Sequence, residues 1–125
     1  MRVLLDTFPF VWLTSEPFRL SREATDLLSD KTTELFFSDA STLELCLMYG
    51  NGTVTMPQTP RRWIEKQRKI WRINMIPLRR EAVFRVSELP DHHDDAVDRL
   101  LVATALTEDL CILSPDDQIQ KYPIT

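Results

Sequence analysis

The sequence predicts an α/β fold built around a mainly parallel sheet. Two observations carry this. Short apolar runs without alternation, Val3-Leu4-Leu5, Leu35-Phe36-Phe37 and Leu110 to Ser114, have the character of strands buried on both faces, with Met75-Ile76 as a shorter candidate. Between these runs lie longer segments with apolar residues at helical spacing, and strands that alternate with helices build parallel sheets. At 125 residues the chain makes one domain, 1–125, large enough to bury a core without staples.

The elements follow in order. Arg2 to Asp6 is the first strand, and Pro9 then breaks the chain before an apolar turn or short helix at Phe10 to Leu13. Ser21 is a suitable N-cap for a helix to Ser29 with Ala24, Leu27 and Leu28 on one face. After the Leu35–Phe37 strand, Ser38 or Asp39 caps a helix carrying Leu43, Glu44, Leu47 and Met48, which stops near Gly50-Asn51-Gly52. Pro57 and Pro60 precede a basic helix whose apolar side is assigned to Trp63, Ile64, Ile70 and Trp71. A helix from Arg79 to Leu89 turns Ala82, Val83 and Val86 inward. Asp94 or Asp95 caps the most regular helix, through Ala105 or Leu106, with Val97, Leu100, Leu101 and Ala105 in period. The final strand leads to Pro115 and the acid pair Asp116-Asp117.

Composition excludes several classes. Apolar residues at 43% and charged ones at 27% exclude a disordered chain. Two glycines are too few for Gly-rich phosphate loops. Cys46 and Cys111 sit among apolar neighbours without zinc-site spacing, which predicts buried reduced thiols and a cytoplasmic setting. The apolar start ahead of Asp6 is too short for a signal peptide, and no run is long enough for a membrane span. The net charge of −4 hides an asymmetry: Arg61 to Arg85 holds nine basic residues against two acids, a segment of +7, so the rest carries −11. Read as function, a basic strip on an acidic body suits a polyanion-binding protein with a cation site; read plainly, it is a solvated helix face.

The acids at element ends are the chemical signal. Asp6 closes the first strand and Asp116 follows the last, and ligands of open parallel sheets bind beyond the carboxyl ends of the strands. Glu44 interrupts the apolar run Leu43 to Leu47, and Asp95 and Asp98 share one face at a helix start. Singly, Asp6 reads as a turn residue, Asp95 and Asp98 as partners of the helix dipole, and Asp116 as a cap. Those readings do not account for Glu44. Several carboxylates converging need a counter-charge, and a hard divalent cation such as Mg²⁺ or Mn²⁺ suits them better than zinc, since no His or Cys cluster joins them. Such a site can activate water for phosphodiester hydrolysis. His92 and His93, the only histidines, read as polar-loop residues.

Four motifs together resemble the PIN-domain ribonucleases of the VapC toxin type. LLDT at Leu4–Thr7 with Val11-Trp12 is similar to the family's opening, and SDASTLEL at Ser38–Leu45 to its S-x-x-S-x-x-E segment. LPDHHDDAVDRLLVATAL at Leu89–Leu106 resembles the D-x-x-D-R helix, and CILSPDDQIQKYPI at Cys111–Ile124 the closing strand and its Y-P ending. The resemblance covers nearly the whole chain and implies a PIN-like α/β/α sandwich. It implies catalytic, metal-binding acids at Asp6, Glu44, Asp98 and Asp116, with Asp95 auxiliary and Thr7, Ser114, Asp117 and Arg99 as polar neighbours. It further implies an Mg²⁺- or Mn²⁺-dependent endoribonuclease, a homodimer, and inhibition by a cognate VapB-type antitoxin. On that reading the basic segment, with Arg61, Arg62, Lys66, Arg68 and Lys69, is expected to guide the RNA backbone. The chain departs from the pattern at Phe8, where the subgroup often has His, at Leu43 for Trp, at Met48 for Lys, and at Ala96-Val97 for Pro-Phe.

The alternative these departures suggest is a catalytically weak or inactive PIN-domain protein that binds RNA or a protein partner. Phosphoacceptor receiver domains and haloacid-dehalogenase-like hydrolases also place acids at strand ends. The first needs an acid pair by strand one, the second D-x-D, and Asp6-Thr7-Phe8 meets neither requirement.

Overall fold

A computed structural model describes residues 1–90 and 95–115. Strand β1 (Arg2–Leu5) is followed by helix α1 (Thr7–Ser15), a 3₁₀ turn (Pro17–Arg19) and α2 (Arg22–Ser29). Then come β2 (Glu34–Ser38), α3 (Asp39–Gly50), α4 (Pro60–Ile70), β3 (Ile73–Ile76), α5 (Arg80–Val86), α6 (Ala96–Glu108) and β4 (Cys111–Leu113). The four strands are all parallel, in the order β3-β2-β1-β4. Val3 stands opposite Leu35 on one side and Cys111 on the other, so β1 lies at the centre, and its three buried residues explain why its run is uniformly apolar.

Strand alternation divides the core between the two faces of the sheet. Val3 and Leu5 join Leu35 and Phe37 of β2, Phe10 and Leu13 of α1, Leu28 of α2, Leu45 of α3 and Ile64 of α4. The Phe10 and Phe37 rings stack at 4.3 Å. Leu4 faces the other way, onto Leu101 and Ala105 of α6 and Leu110. Helices thus cover both faces, the α/β/α sandwich that the apolar strand runs imply. Among the described residues no helix is long and apolar enough to cross a membrane.

The helix starts match their capping chemistry. Ser21 Oγ accepts from Ala24 N–H at 3.0 Å, and Ser38 Oγ accepts from Ala40 N–H at 3.0 Å. Asp95 caps α6, accepting from Val97 N–H at 2.9 Å and Asp98 N–H at 3.1 Å. Asp94 lies outside the described residues.

Several expectations are corrected. Ile70 and Trp71 are 58% and 37% exposed, and the inward side of α4 is Ile64 with Gln67, whose Oε1 accepts from Trp71 Nε1 at 3.2 Å. Helix α5 is shorter than Arg79 to Leu89 and buries Ala82, while Val83 is 44% exposed. Cys46 is exposed and Cys111 half-buried, against the expectation of two buried thiols. Neighbours in sequence diverge by about 100° around a helix, so Leu45 is buried while Leu43, Cys46 and Leu47 share the outer face of α3. Of the aromatics on α1 and the 3₁₀ turn, Phe10 is core, Trp12 is half-buried and Phe18 is 79% exposed.

Candidate active site

The carboxyl edge of the sheet gathers the polar residues. Asp6 follows β1 directly, and its N–H donates to the Leu113 carbonyl at 3.1 Å, which joins the ends of β1 and β4. Its side chain is buried and doubly held: Oδ1 accepts from Thr7 N–H and Oδ2 from the Ser114 hydroxyl, each at 2.7 Å. Asp6 is also the N-cap of α1, so the capping reading is correct as far as it goes. A cap does not require burial, and a buried carboxylate held by two donors is kept in one orientation.

Glu44 approaches from α3. Burial pushes its carboxyl above its ordinary value; the Thr7 hydroxyl opposes this, and the negative charges of Asp95 and Asp6 reinforce it. Residues from β1, α1, α3 and the start of α6 are therefore within electrostatic reach of one another. Asp98 stands half-buried in the first turn of α6, one helical turn beyond Asp95.

One hydroxyl beside these acids is unsatisfied. Ser41 Oγ is buried and makes no hydrogen bond to a described partner, whereas the Thr7 hydroxyl faces the Glu44 carboxyl. Ser41 is three residues before Glu44 on α3, hence on the same face. It was not singled out as a site residue, although it is the central serine of S-x-x-S-x-x-E and its burial is the only feature the sequence does not display. Buried polar atoms normally find partners, so the Ser41 hydroxyl, on the same helix face as Glu44, is open to a polar ligand.

The donor set here is all oxygen, which fits a hard divalent cation and not zinc. Among the described residues no group of three or more His, Cys, Asp or Glu is arranged to hold a metal ion. Mg²⁺ retains several waters and needs only one or two carboxylates, so Asp6 and Glu44 are compatible with it. Asp116 and Asp117, and the histidines His92 and His93, lie outside the described residues.

The family model of the PIN domain matches residues 3–124. The chain belongs to the PIN domain family. The sequence of this PIN domain finds no match among curated proteins. Its fold is similar to that of a chain in VapBC2 from Rickettsia felis bound to a DNA fragment from their promoter, with TM-score 0.71, 16% identity, and 98% of this chain and 94% of that one covered. A chain of a toxin-antitoxin complex from Klebsiella pneumoniae is also similar, with TM-score 0.60, 17% identity, and 95% and 90% covered.

Other residues of the PIN domain have structural partners or lie exposed on the surface. Arg99 Nη2 donates to the carbonyls of Val86 at 2.7 Å and Leu89 at 3.5 Å, and Nη1 to that of Pro90 at 3.2 Å, which ties α6 to the end of α5. On α4, Arg61, Arg62 and Lys69 are exposed, Arg68 pairs with Glu65 at 2.7 Å, and Lys66 lies 5.9 Å from the centre of the Trp63 ring. The helix itself is anchored to α1 by Trp63 Nε1, which donates to Thr14 Oγ1 at 3.4 Å.

Proposed function

We propose that this PIN domain is a metal-dependent endoribonuclease of the VapC toxin type. The observation that carries the reading is the buried Asp6 carboxylate at the carboxyl edge of the sheet, held by Thr7 N–H and the Ser114 hydroxyl, with Glu44 and Asp95 within electrostatic reach. Asp6 and Glu44 would hold Mg²⁺ or Mn²⁺, with Asp98 and Asp116 as the further acids and Asp95 assisting. Bound there, the cation would supply the charge that keeps these carboxylates ionised and the polarisation that activates water toward a phosphodiester. Thr7 and Ser114 keep the acids in place: the Ser114 hydroxyl orients Asp6, and the Thr7 hydroxyl favours charged Glu44. Asp117 and Arg99 stand as polar neighbours, Arg99 by securing the α5–α6 connection. Water attack on phosphorus leaves 5′-phosphate and 3′-hydroxyl ends. The basic residues Arg61, Arg62, Lys66, Arg68 and Lys69 attract the RNA backbone. Restraint by a VapB-type antitoxin is in keeping with the two toxin-antitoxin complexes that contain chains of this fold, and a homodimer belongs to the same reading.

Incubating the purified protein with RNA and Mg²⁺ or Mn²⁺ tests the reading. Cleavage is expected to vanish with chelator and to fall by orders of magnitude in Asp98→Asn; cleavage indifferent to both refutes it. A catalytically weak PIN domain that only binds RNA or a protein is the second reading. It is favoured by the lack, among the described residues, of a three-acid metal group. Mn²⁺ titration separates the two, since folded protein that binds no Mn²⁺ supports the second.

A further inference from the structure

Helix α1 begins at the candidate site and forms one wall of a groove. Asp6 caps it, and Phe8, the second residue of the helix, stands 42% exposed. The Phe8 ring lies 6.1 Å from that of Trp12, tilted by 33°. These rings and Val11 border a groove of about 660 Å³ whose other wall is the segment Thr53 to Pro57, with Val54 and Met56. At the far end Glu16 pairs with Arg19 at 3.1 Å, so the ionisable residues of the lining compensate each other.

The chain that follows the second wall is basic. Its second wall runs within a few residues into α4, whose first turn exposes Arg61 and Arg62, and no ion pair joins either to a described acid. The Trp63–Thr14 hydrogen bond holds that helix against α1. A large aromatic ring exposed two residues from a buried carboxylate is not needed by the core, which Phe10 fills from the opposite side of the same helix. An uncharged aromatic slot that leads along the chain to the exposed Arg61 and Arg62 suits a ligand that has flat apolar faces and a charged backbone.

We propose that the Phe8–Trp12 groove is a nucleobase-stacking subsite, in which a base of single-stranded RNA next to the cleaved bond stacks on Phe8. This rests on the ribonuclease reading above. Aromatic stacking tolerates every base because each has a π-face, so the subsite favours unpaired over duplex RNA and has little sequence preference. The negative backbone then extends toward Arg61 and Arg62.

The test is fluorescence anisotropy of a labelled single-stranded oligoribonucleotide, titrated with protein in the presence of chelator so that nothing is cut. Wild type is compared with Phe8→Leu, which keeps apolar volume and loses the π-face, using an intact oligonucleotide and a series carrying one abasic position. Phe8→Leu is expected to weaken binding by about five-fold or more. One abasic position is expected to cost wild type a similar factor and cost Phe8→Leu almost nothing. Equal RNA affinity of wild type and Phe8→Leu overturns the subsite, as does an abasic penalty that persists undiminished in Phe8→Leu. If RNA binding ignores Phe8→Leu while an apolar helical peptide competes for the groove, the occupant is a peptide and the proposal fails. A parallel Mg²⁺ or Mn²⁺ cleavage assay keeps the two readings apart. Stacking without cleavage supports the subsite and refutes the ribonuclease; cleavage with Phe8→Leu unimpaired in binding does the reverse.

Discussion

The Ser114 hydroxyl donates to Asp6 Oδ2 at 2.7 Å, linking two residues 108 positions apart in the chain. Together with the backbone bond from Asp6 N–H to the Leu113 carbonyl, it clamps the ends of β1 and β4 and orients the carboxylate.

Ser114→Ala removes a donor from a buried carboxylate. Hydrogen bonds to charged groups contribute about 1.5–3 kcal/mol, and the half-buried serine argues for the lower part of that range. A loss of about 1.5 kcal/mol in urea unfolding at neutral pH is expected, together with weaker Mn²⁺ binding. Unchanged stability and metal affinity would show that Ser114 does not orient Asp6.

Glu44 makes the metal-free protein sensitive to pH. Its carboxyl lies above the ordinary value of 4.5 because of burial, aided by Asp95 and Asp6, so the folded chain binds this proton more tightly than the unfolded chain. Stability from this group is complete below about 4.5 and is lost as pH rises through the folded value. Glu44→Gln should therefore raise the melting temperature of metal-free protein at pH 7–8 and not near pH 4, while weakening Mn²⁺ binding. A lower melting temperature at pH 7–8 would count against the convergence of acids.

Arg99 spans the Val86, Leu89 and Pro90 carbonyls with a planar fork, which an ammonium group cannot reproduce. Arg99→Lys is expected to cost about 1–2 kcal/mol. Amide exchange around residues 86–90 should accelerate while the β1 amides stay protected. Equal protection at 86–90 in both proteins would remove this role.

Arg72 follows α4 with φ of 54°, a left-handed conformation that strains a side chain bearing Cβ. It is exposed, so Arg72→Gly loses little packing. Relief of the strain, less the added freedom of the unfolded glycine, predicts a gain of about 0.5–1 kcal/mol in urea unfolding. Destabilisation would mean that the guanidinium has a larger structural part than its exposure suggests.

The elements that were legible in the sequence are those with local causes. Ser21 and Ser38 cap where their chemistry suits a helix start, and β1 is apolar at Val3, Leu4 and Leu5 because both faces of the sheet are covered. Burial within helices was less legible. Trp71, Ile70, Val83 and Cys46 are apolar and exposed, while Gln67 is buried, because a helix has more apolar residues than its neighbours have surface to cover.

The candidate site divides along the same line. Sequence alone determined that acids stand at the ends of strands and that Glu44 sits awkwardly in a helix, and its motifs pointed to the PIN family, whose model then matched residues 3–124. Tertiary structure decided which groups meet. Parallel pairing of β1 with β4 brought Ser114 onto Asp6, and the packing of α3 brought Glu44 within reach of Asp6, Thr7 and Asp95. It also turned Arg99 to the α5 carbonyls, left the Ser41 hydroxyl without a described partner, and opened a groove beside Phe8. Spacing along a chain sets which residues share a face, but a hydrogen bond or a shared charge between segments a hundred residues apart depends on how the layers stack.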